Sequence, residues 1–172
     1  AEVYPALSNS SPLKKEILEN VDFIIIRELT SGLYFGEPKK RWIENDKRYA
    51  VDTLTYNEDE VRRVVKVGFE MAMKRNRKLH SLDKMNVMAS SRLWREIADE
   101  VSKDYPEVEL IHMLADNAAM QIITNPSEFD VLVTENTFGD ILSDEAAVIG
   151  GSMGMLPSAS LSSIPGQINT DS

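Results

Sequence analysis

The sequence of 172 residues predicts an α/β protein with a largely parallel sheet covered by helices. Three observations support this prediction. Short apolar runs alternate with segments of helical periodicity, the connections between them are short, and helix-capping residues precede several of the periodic segments. Because a helical segment separates successive runs, the connections suit crossovers between parallel strands.

Four apolar runs are predicted to form the strands of this sheet. Their length and their content of Val, Ile and Leu are typical of buried strands. The runs cover residues 21–26, 78–87 (a strand that leads into a turn), 107–114 and 129–135.

The helices are predicted from apolar spacing and from residues that mark helix ends. Asn57 with Glu60 comes close to a capping box, and the Asn-Pro pair at 125–126 stops a short helix. We expect the last helix to run to about Val148, where glycines at 150–154 break it. The predicted helices begin at Ser11-Pro12, Asn57, Ser90 or Ser91, Asp116 and Asp140.

Residues 37–56 form a charged segment between two core elements. It contains Trp42 and Tyr49 and has too few apolar residues for a core of its own, so we expect an arm or hairpin that pairs with another surface. Its last residues, 49–56, are strand-like. Aromatic residues among charges can bind nucleic acid, but the acidity of the whole chain disfavours that function here.

The composition excludes several classes of protein. The sequence has no cysteine, which rules out disulfides and thiolate metal sites. Its net charge of −9 argues against a nucleic-acid partner and suits an acidic protein that binds metal. No apolar run approaches the roughly 20 residues of a membrane helix, so we expect a cytoplasmic protein without a membrane partner. The chain lacks an initiator Met and ends in a polar run, and we expect a piece of a longer protein.

Seven polar side chains follow the predicted strands, where α/β sheets bind ligands. Each also suits an ordinary role: a surface ion pair for the arginine, a core position for the tyrosine, a turn for the lysine and asparagine, and a helix cap for the first aspartate. His80 and His112 lie among apolar neighbours without a metal-spaced partner, and we expect them to be structural. The seven candidates are Arg27, Tyr34, Lys84, Asn86, Asp116, Asp140 and Asp144.

The last two candidates stand four residues apart. In a helix, Asp140 and Asp144 would share one face, where two like charges repel each other unless a cation lies between them. Two carboxylates suit a divalent cation, which prefers oxygen ligands. The alternative is an acidic helix N-terminus stabilised by the helix dipole, and the spacing alone leaves both explanations open.

Five motifs, in order and at similar spacing, resemble the isocitrate/isopropylmalate dehydrogenase family. The resemblance covers residues 2–161 and implies a three-layer α/β sandwich with an arm hairpin. Within the family, Leu-Tyr-Phe-Gly at 33–36 is similar to the isopropylmalate branch rather than the isocitrate branch. The motifs are Arg-Glu-Leu-Thr-Ser-Gly-Leu-Tyr-Phe-Gly (27–36), Asp-Lys-Met-Asn-Val (83–87), Ala-Asp-Asn-Ala-Ala-Met (115–120), Thr-Glu-Asn-Thr-Phe-Gly-Asp-Ile-Leu-Ser-Asp-Glu (134–145) and Gly-Met-Leu-Pro-Ser-Ala-Ser (154–160).

The resemblance implies an oxidative decarboxylation that uses NAD and either Mg²⁺ or Mn²⁺. In the isopropylmalate branch, 3-isopropylmalate gives a hydride to NAD and then loses carbon dioxide, a reaction of leucine biosynthesis. The implied metal ligands are Asp116, Asp140 and Asp144, the base is Lys84, the acid is Tyr34, the clamp on a substrate carboxylate is Arg27, and the contact near the nicotinamide is Asn86.

The resemblance also implies a homodimer whose active sites are shared. The lysine, the asparagine and the first aspartate of one subunit would complete the site formed by the other four candidates of its partner. The arm at 37–56 would interlock the subunits, and we expect the helices that contain Val61 and Leu93 to contribute to the interface.

The family's chains are about twice as long as this one. Residues 1–161 correspond to the domain for substrate and metal binding and for dimerisation, residues 162–172 form an irregular tail, and the cofactor-binding domain is mostly absent. We therefore expect the chain to be inactive alone. Two alternatives are a non-catalytic dimerisation partner and a related dehydrogenase that acts on isocitrate, tartrate or homoisocitrate.

Overall fold

A computed structural model describes residues 2–3, 20–149, 160–161 and 168–169. The strands are β1 (Glu2–Val3), β2 (Phe23–Arg27), β3 (Lys40–Glu44), β4 (Lys47–Val51), β5 (Lys78–Asp83), β6 (Glu109–Leu114), β7 (Val131–Thr134), β8 (Ser160–Leu161) and β9 (Ile168–Asn169). The helices are α1 (Glu58–Met73), α2 (Ala89–Ser102), α3 (Ala115–Thr124) and α4 (Asn136–Ile149), with a 3₁₀ turn at Pro126–Glu128.

The central sheet has five strands in the order β1-β2-β7-β5-β6. Strands β2, β7, β5 and β6 are parallel, and β1 is antiparallel to β2 at one edge. The carboxyl ends of the four parallel strands therefore lie at the same edge of the sheet. This arrangement confirms the predicted α/β class and its parallel sheet.

Helices cover both faces of the sheet, so the predicted three-layer sandwich is also confirmed. Helices α1 and α2 pack on one face and α3 and α4 on the other. Alternate residues of a strand supply the two cores: Val131 and Val133 pack with α1 and α2, whereas Leu132 packs with α3 and α4.

The capping box predicted at the start of α1 is confirmed. Asn57 Oδ1 accepts from the backbone N–H of Glu60 at 2.9 Å, and Glu60 Oε1 accepts from the N–H of Asn57 at 2.9 Å.

The apolar face of α1 packs within the chain, where Val61 is fully buried and Leu93 of α2 packs against the same core. Val61 therefore packs within the chain's own core, and the expected contribution of these two helices to a subunit interface stays a prediction.

Three helices begin earlier than the sequence predicted. Helix α4 begins at Asn136, four residues before Asp140, and α2 begins at Ala89. Helix α3 has Leu114 at its N-cap, so Asp116 lies in the first turn and is not the cap. The first turn of α4 contains no acidic residue, and the dipole acts mainly on the terminal turn. The dipole therefore does not explain the aspartates of α4.

Strands β3 and β4 form the hairpin predicted in the segment 37–56. The strand runs over 47–51 rather than 49–56, and the turn residues Asn45 and Asp46 both have positive φ, at 52° and 60°. Such a two-residue turn matches the twist of a hairpin. Trp42 stacks on Tyr49 with ring centroids 5.3 Å apart, while Ile43 is 74% exposed. The hairpin thus presents apolar surface to solvent.

The buried histidine behaves as the sequence predicted. His80 is 1% exposed and its ring contacts Phe129 edge-on, with centroids 4.6 Å apart. Burial lowers its pKa to about 4, so the ring is neutral at pH 7. His112 Nε2 lies 2.6 Å from Asp99 Oδ1 at the surface, and no cluster of three or more metal-binding side chains involves either ring in the part of the chain that the structure describes.

Two of the sequence predictions lie outside the described residues: the helix at 11–19 and the glycine break at 150–154. The predicted irregular tail differs at one point, since Ile168–Asn169 pairs with Ser160–Leu161 in an antiparallel bridge. Among the described residues, no helix has the length and apolar character needed to cross a membrane.

Candidate active site

The candidate residues lie at the carboxyl edge of the sheet, in two groups set by strand order. Strand β2 lies beside β7 and β5 lies beside β6, and the contacts among the candidates occur within these two strand pairs. We refer to Arg27, Tyr34, Asn136 and Asp140 as the arginine cluster, and to Lys84 and Asp116 as the lysine pair.

The arginine cluster joins the end of β2 to the start of α4. Nε and Nη2 of Arg27 donate to Asn136 Oδ1 at 3.1 and 2.7 Å, and Nη1 lies 3.3 Å from Asp140 Oδ1. The hydroxyl of Tyr34 donates to the other oxygen of Asp140 at 2.9 Å. The carboxylate of Asp140 therefore contacts both the guanidinium of Arg27 and the phenol hydroxyl of Tyr34, and it remains partly exposed to solvent.

The carboxylate of Glu28, the residue after Arg27, is buried beside this cluster. Glu28 is 3% exposed and accepts from the backbone N–H of Ser31 at 3.1 Å and from the hydroxyl of Tyr56 at 2.8 Å. Thr30 donates two further bonds, from its N–H and its hydroxyl. Burial alone would raise the pKa of Glu28, but these hydrogen bonds outweigh it and hold the pKa below its ordinary value. Glu28 is therefore ionised at neutral pH.

The electrostatics of the cluster favour a protonated Tyr34. Its hydrogen bond to Asp140 raises the pKa of the phenol above its ordinary value, because the carboxylate stabilises the proton between them. Burial likewise raises the pKa of Glu135, whose side chain caps α4 by accepting from the N–H of Phe138. Tyr34 is thus protonated at neutral pH, and its hydroxyl donates to Asp140.

Gly139 gives Arg27 the space that it occupies. A Cβ on Gly139 would lie 2.6 Å from Arg27 Cγ and 3.0 Å from its Cβ and Cδ. A real Cβ does not approach other heavy atoms this closely. The glycine of the Phe-Gly-Asp sequence therefore allows the arginine stem to cross α4.

The lysine pair spans the ends of β5 and β6. Lys84 Nζ lies 2.8 Å from Asp116 Oδ1. The bond with Lys84 lowers the pKa of Asp116, so its carboxylate is charged at neutral pH. This aspartate is exposed, so its carboxylate is accessible from solvent.

A second set of contacts fixes the backbone at Lys84. The buried Asp83 accepts from Nε and Nη2 of Arg95 at 2.8 and 3.1 Å and from the N–H of Met85 at 3.1 Å. The N–H of Lys84 donates to Ser91 Oγ at 2.9 Å. These bonds attach the turn after β5 to α2, so the lysine stem starts from a fixed position.

Two candidates stand apart from these groups. Asn86 is exposed in the turn after β5, and Asp144 is exposed one helical turn beyond Asp140. Within the described ranges, no three acidic or histidine side chains gather in a geometry suited to a metal ion. A single chain therefore does not bring together the three predicted metal ligands, and their convergence across two subunits stays a prediction.

The donor set nevertheless fits Mg²⁺ or Mn²⁺. These hard cations prefer carboxylate oxygens and water, and the side chains of Asp116 and Asp140 are 62% and 46% exposed. Among the described residues, the carboxyl edge of the sheet offers oxygen ligands and no imidazole or thiolate group. Such a set does not favour zinc or copper.

The sequence interpretation missed the residues that hold the candidates in place. Asn136, Glu28 and Tyr56 were part of the quoted segments but were not singled out. A signal was present for two of them, because Glu28 directly follows a strand and Asn136 follows another. Nothing in the local sequence connects Tyr56 with either, since its partners are 28 and 80 positions away.

The comparison with known proteins agrees with this geometry. The family model for isocitrate/isopropylmalate dehydrogenase matches residues 1–170. The chain belongs to the isocitrate/isopropylmalate dehydrogenase family. Within that family it is 60% identical to a 3-isopropylmalate dehydrogenase of Bacillus subtilis over 163 residues, and 58% identical to one of Aquifex aeolicus over 161 residues. Each alignment covers 94% of this chain.

Two solved structures resemble the chain as well. The isocitrate dehydrogenase of Methylococcus capsulatus aligns with 78% of it and 40% of that chain, at 34% identity and a TM-score of 0.73. The TT0538 protein of Thermus thermophilus aligns with 83% of it and 28% of that chain, at 30% identity and a TM-score of 0.76. The chain spans 45% of the Bacillus subtilis relative and 44% of the Aquifex aeolicus one, less than half of either length.

Proposed function

We propose that the chain is the substrate- and metal-binding part of a 3-isopropylmalate dehydrogenase. The reaction is the NAD-dependent oxidative decarboxylation of (2R,3S)-3-isopropylmalate to 4-methyl-2-oxopentanoate. The observation that supports it best is the double contact of Asp140 with Arg27 and Tyr34 at the carboxyl edge of the sheet. The identity of about 60% with 3-isopropylmalate dehydrogenases, against 34% with an isocitrate dehydrogenase, favours isopropylmalate as the substrate.

Substrate binding is assigned to Arg27. One edge of its guanidinium is bound to Asn136, and its charge suits a carboxylate of the substrate. Asp116, Asp140 and Asp144 would hold Mg²⁺ or Mn²⁺ near that carboxylate. The cation would supply Lewis-acid polarisation of the substrate oxygens.

Proton transfer is assigned to Lys84 and Tyr34. The Lys84 amine takes the proton of the substrate hydroxyl while the carbon-bound hydride passes to NAD⁺, which yields the β-keto acid. Loss of carbon dioxide then leaves an enolate, and the hydroxyl of Tyr34 protonates its carbon. Lys84 can accept this proton only as the neutral amine, a form in which its ion pair with Asp116 is lost. Asn86 is proposed to lie near the nicotinamide.

A homodimer is proposed because the arginine cluster and the lysine pair do not come together within one chain. Exposed apolar side chains offer a surface for it: Ile43 of the hairpin, Met120 of α3 and Ile141 of α4 are 74%, 59% and 60% exposed. We propose that the hairpin and the outer faces of α3 and α4 contact the second subunit. The cytoplasmic location expected from the sequence stays a prediction.

A chimera tests the activity. Residues 1–163 of this chain replace the matching segment of the Bacillus subtilis enzyme, and the product is assayed with 3-isopropylmalate, isocitrate, NAD⁺ and Mg²⁺. We expect turnover of isopropylmalate, its loss in Asp140→Asn, and no turnover by the 172-residue chain alone. A chimera that folds and oxidises isocitrate instead would assign the other branch of the family. Turnover by the chain alone would contradict its proposed dependence on the remaining domain.

Mixed dimers of the chimera test the shared site. Lys84→Ala and Asp140→Asn are each expected to be inactive. If each site combines these residues from different subunits, a mixed dimer contains one site with both defects and one intact site, and a statistical mixture regains about a quarter of the activity. If both residues come from the same subunit, every site has a defect and mixing restores nothing.

The alternative of a non-catalytic dimerisation partner predicts a different result. In that case the chain binds the full-length Bacillus subtilis enzyme, but the chimera, which has lost that enzyme's own matching segment, folds without turning over isopropylmalate. Co-purification followed by the same assay distinguishes the two functions.

A further inference from the structure

The guanidinium of Arg27 is held along one edge by a neutral side chain. Its Nε and Nη2 groups share Asn136 Oδ1, at 3.1 and 2.7 Å, while the carboxylate of Asp140 lies at 3.3 Å from Nη1 only. We propose that Asn136 is the positioning residue for Arg27. It fixes the direction of the guanidinium through an amide oxygen, so the positive charge stays available to a carboxylate ligand. The identity of that ligand rests on the proposed function.

Asn136 has only one orientation that satisfies its surroundings. It is 1% exposed, and its Nδ2 donates to the carbonyl oxygen of Ser31 at 3.0 Å. Arginine has only donors and the carbonyl only accepts. The oxygen of the amide must therefore face Arg27, and the nitrogen must face Ser31. A flipped amide would put donor against donor and acceptor against acceptor.

The backbone of Asn136 is fixed by a second chain of bonds. Its N–H donates to the hydroxyl of Tyr56 at 3.0 Å, and that hydroxyl donates to Glu28 Oε2 at 2.8 Å. A phenol has one proton, and the ionised Glu28 can only accept, so the proton lies between them. The lone pair of the tyrosine is then left for the N–H of Asn136. Glu28, Tyr56, Asn136 and Arg27 thus form one ordered chain of hydrogen bonds from the core to the site.

Neutrality distinguishes Asn136 from an aspartate. An aspartate there would also accept from Arg27, but it would neutralise the guanidinium and could not donate to Ser31. It would add a third carboxylate to the buried Glu28 and Glu135. The amide provides the same acceptor without these costs, and the attraction between Arg27 and a bound carboxylate is retained.

The first experiment uses the 172-residue chain and needs no substrate. In ¹⁵N-labelled protein, the Nε–Hε signal of Arg27 is assigned by its absence in Arg27→Lys. We expect a slowly exchanging signal in the unsubstituted chain and in Asn136→Asp, its loss in Asn136→Ala, and faster exchange in Tyr56→Phe. Asn125→Ala, at an exposed asparagine after α3, is the matched control and should leave the signal unchanged. The amide spectra establish that each variant is folded.

The second experiment measures steady-state kinetics in the chimera. Asn136→Asp is expected to raise the KM for isopropylmalate about tenfold or more, with a smaller change in kcat, because a charge-assisted bond to the substrate is weakened. A KM equal to that of the unsubstituted chimera overturns the argument from neutrality. An Arg27 signal that survives in folded Asn136→Ala overturns the positioning role, whatever the enzyme does. Loss of that signal together with an unsubstituted chimera that does not use isopropylmalate supports the positioning role and refutes the proposed function instead.

Discussion

Asp130 lies at the amino edge of the sheet, opposite the candidate active site, and is 4% exposed. Its Oδ1 accepts from Nε of Arg75 at 2.8 Å and its Oδ2 from the N–H of Asn76 at 2.9 Å. Arg75 also donates to the carbonyl and carboxylate of Asp22, at 2.8 and 3.1 Å. One buried carboxylate thus connects the start of β7 with the turn between α1 and β5.

Asp130→Ala should destabilise the fold by about 3–4 kcal/mol. A buried N–H without a partner costs about 1–3 kcal/mol, and removal of one partner from a fully buried ion pair costs about 3–5 kcal/mol. The second term is reduced here because Arg75 keeps its bonds to Asp22. The matched control is Asp22→Ala: that carboxylate is 53% exposed, so its loss should cost at most about 1 kcal/mol.

Urea unfolding of the purified chain, followed by circular dichroism, measures both variants. With a slope of about 1.5–2 kcal/mol per molar urea, the midpoint of Asp130→Ala should fall by about 2 M and that of Asp22→Ala by less than about 0.7 M. A loss below about 1 kcal/mol for Asp130→Ala, or an equal loss for Asp22→Ala, would refute the reasoning. In the chimera, a folded Asp130→Ala should keep the substrate KM, since the contacts lie at the other edge of the sheet.

Three further changes test other contacts. Because burial lowers the pKa of His80 to about 4 and the unfolded ring titrates near 6.5, only the unfolded chain binds this proton as the pH falls from 6.5 to 4; the chain should lose about 2 kcal/mol of stability from this residue at pH 5. Urea unfolding at pH 7 and 5 should show a smaller loss in His80→Leu, and an equal loss would contradict the assignment. Asn57→Ala should cost about 1 kcal/mol in the same assay, because the cap of α1 is lost, and an unchanged midpoint would show that this capping box contributes little. Gly139→Ala should displace Arg27 and broaden its Nε–Hε signal, despite the better helix propensity of alanine; an unchanged signal would show that α4 has room for the methyl group.

Much of the fold could be predicted because its determinants are local. The strand runs and the helical stripes follow from periods of two and 3.6 residues, and the cap of α1 is encoded within four residues. Helix starts were less predictable. α4 begins at Asn136 because Glu135 caps it and Tyr56 accepts from its first N–H, and the latter contact depends on the folded chain.

Some residues of the candidate site could likewise be predicted from the local sequence, and others could not. Arg27, Lys84 and Asp140 follow strands and could be found from that position alone. Their partners could not, since Asn136 reaches Arg27 across 109 residues and Tyr56 across 80. The expected role of α1 and α2 in a dimer stays a prediction, although Val61 of α1 is buried within the chain. An apolar stripe in a sequence indicates burial but not which surface covers it.

The early start of α4 has a consequence for the register of its polar face. Between Asn136 and Asp140 the helix makes slightly more than one turn, which directs both side chains toward Arg27. A single residue inserted between them would rotate everything downstream by about 100° and lift it by about 1.5 Å, which would carry the aspartate away from Tyr34 while the asparagine stayed in place. Length variation within this first turn is therefore incompatible with the site.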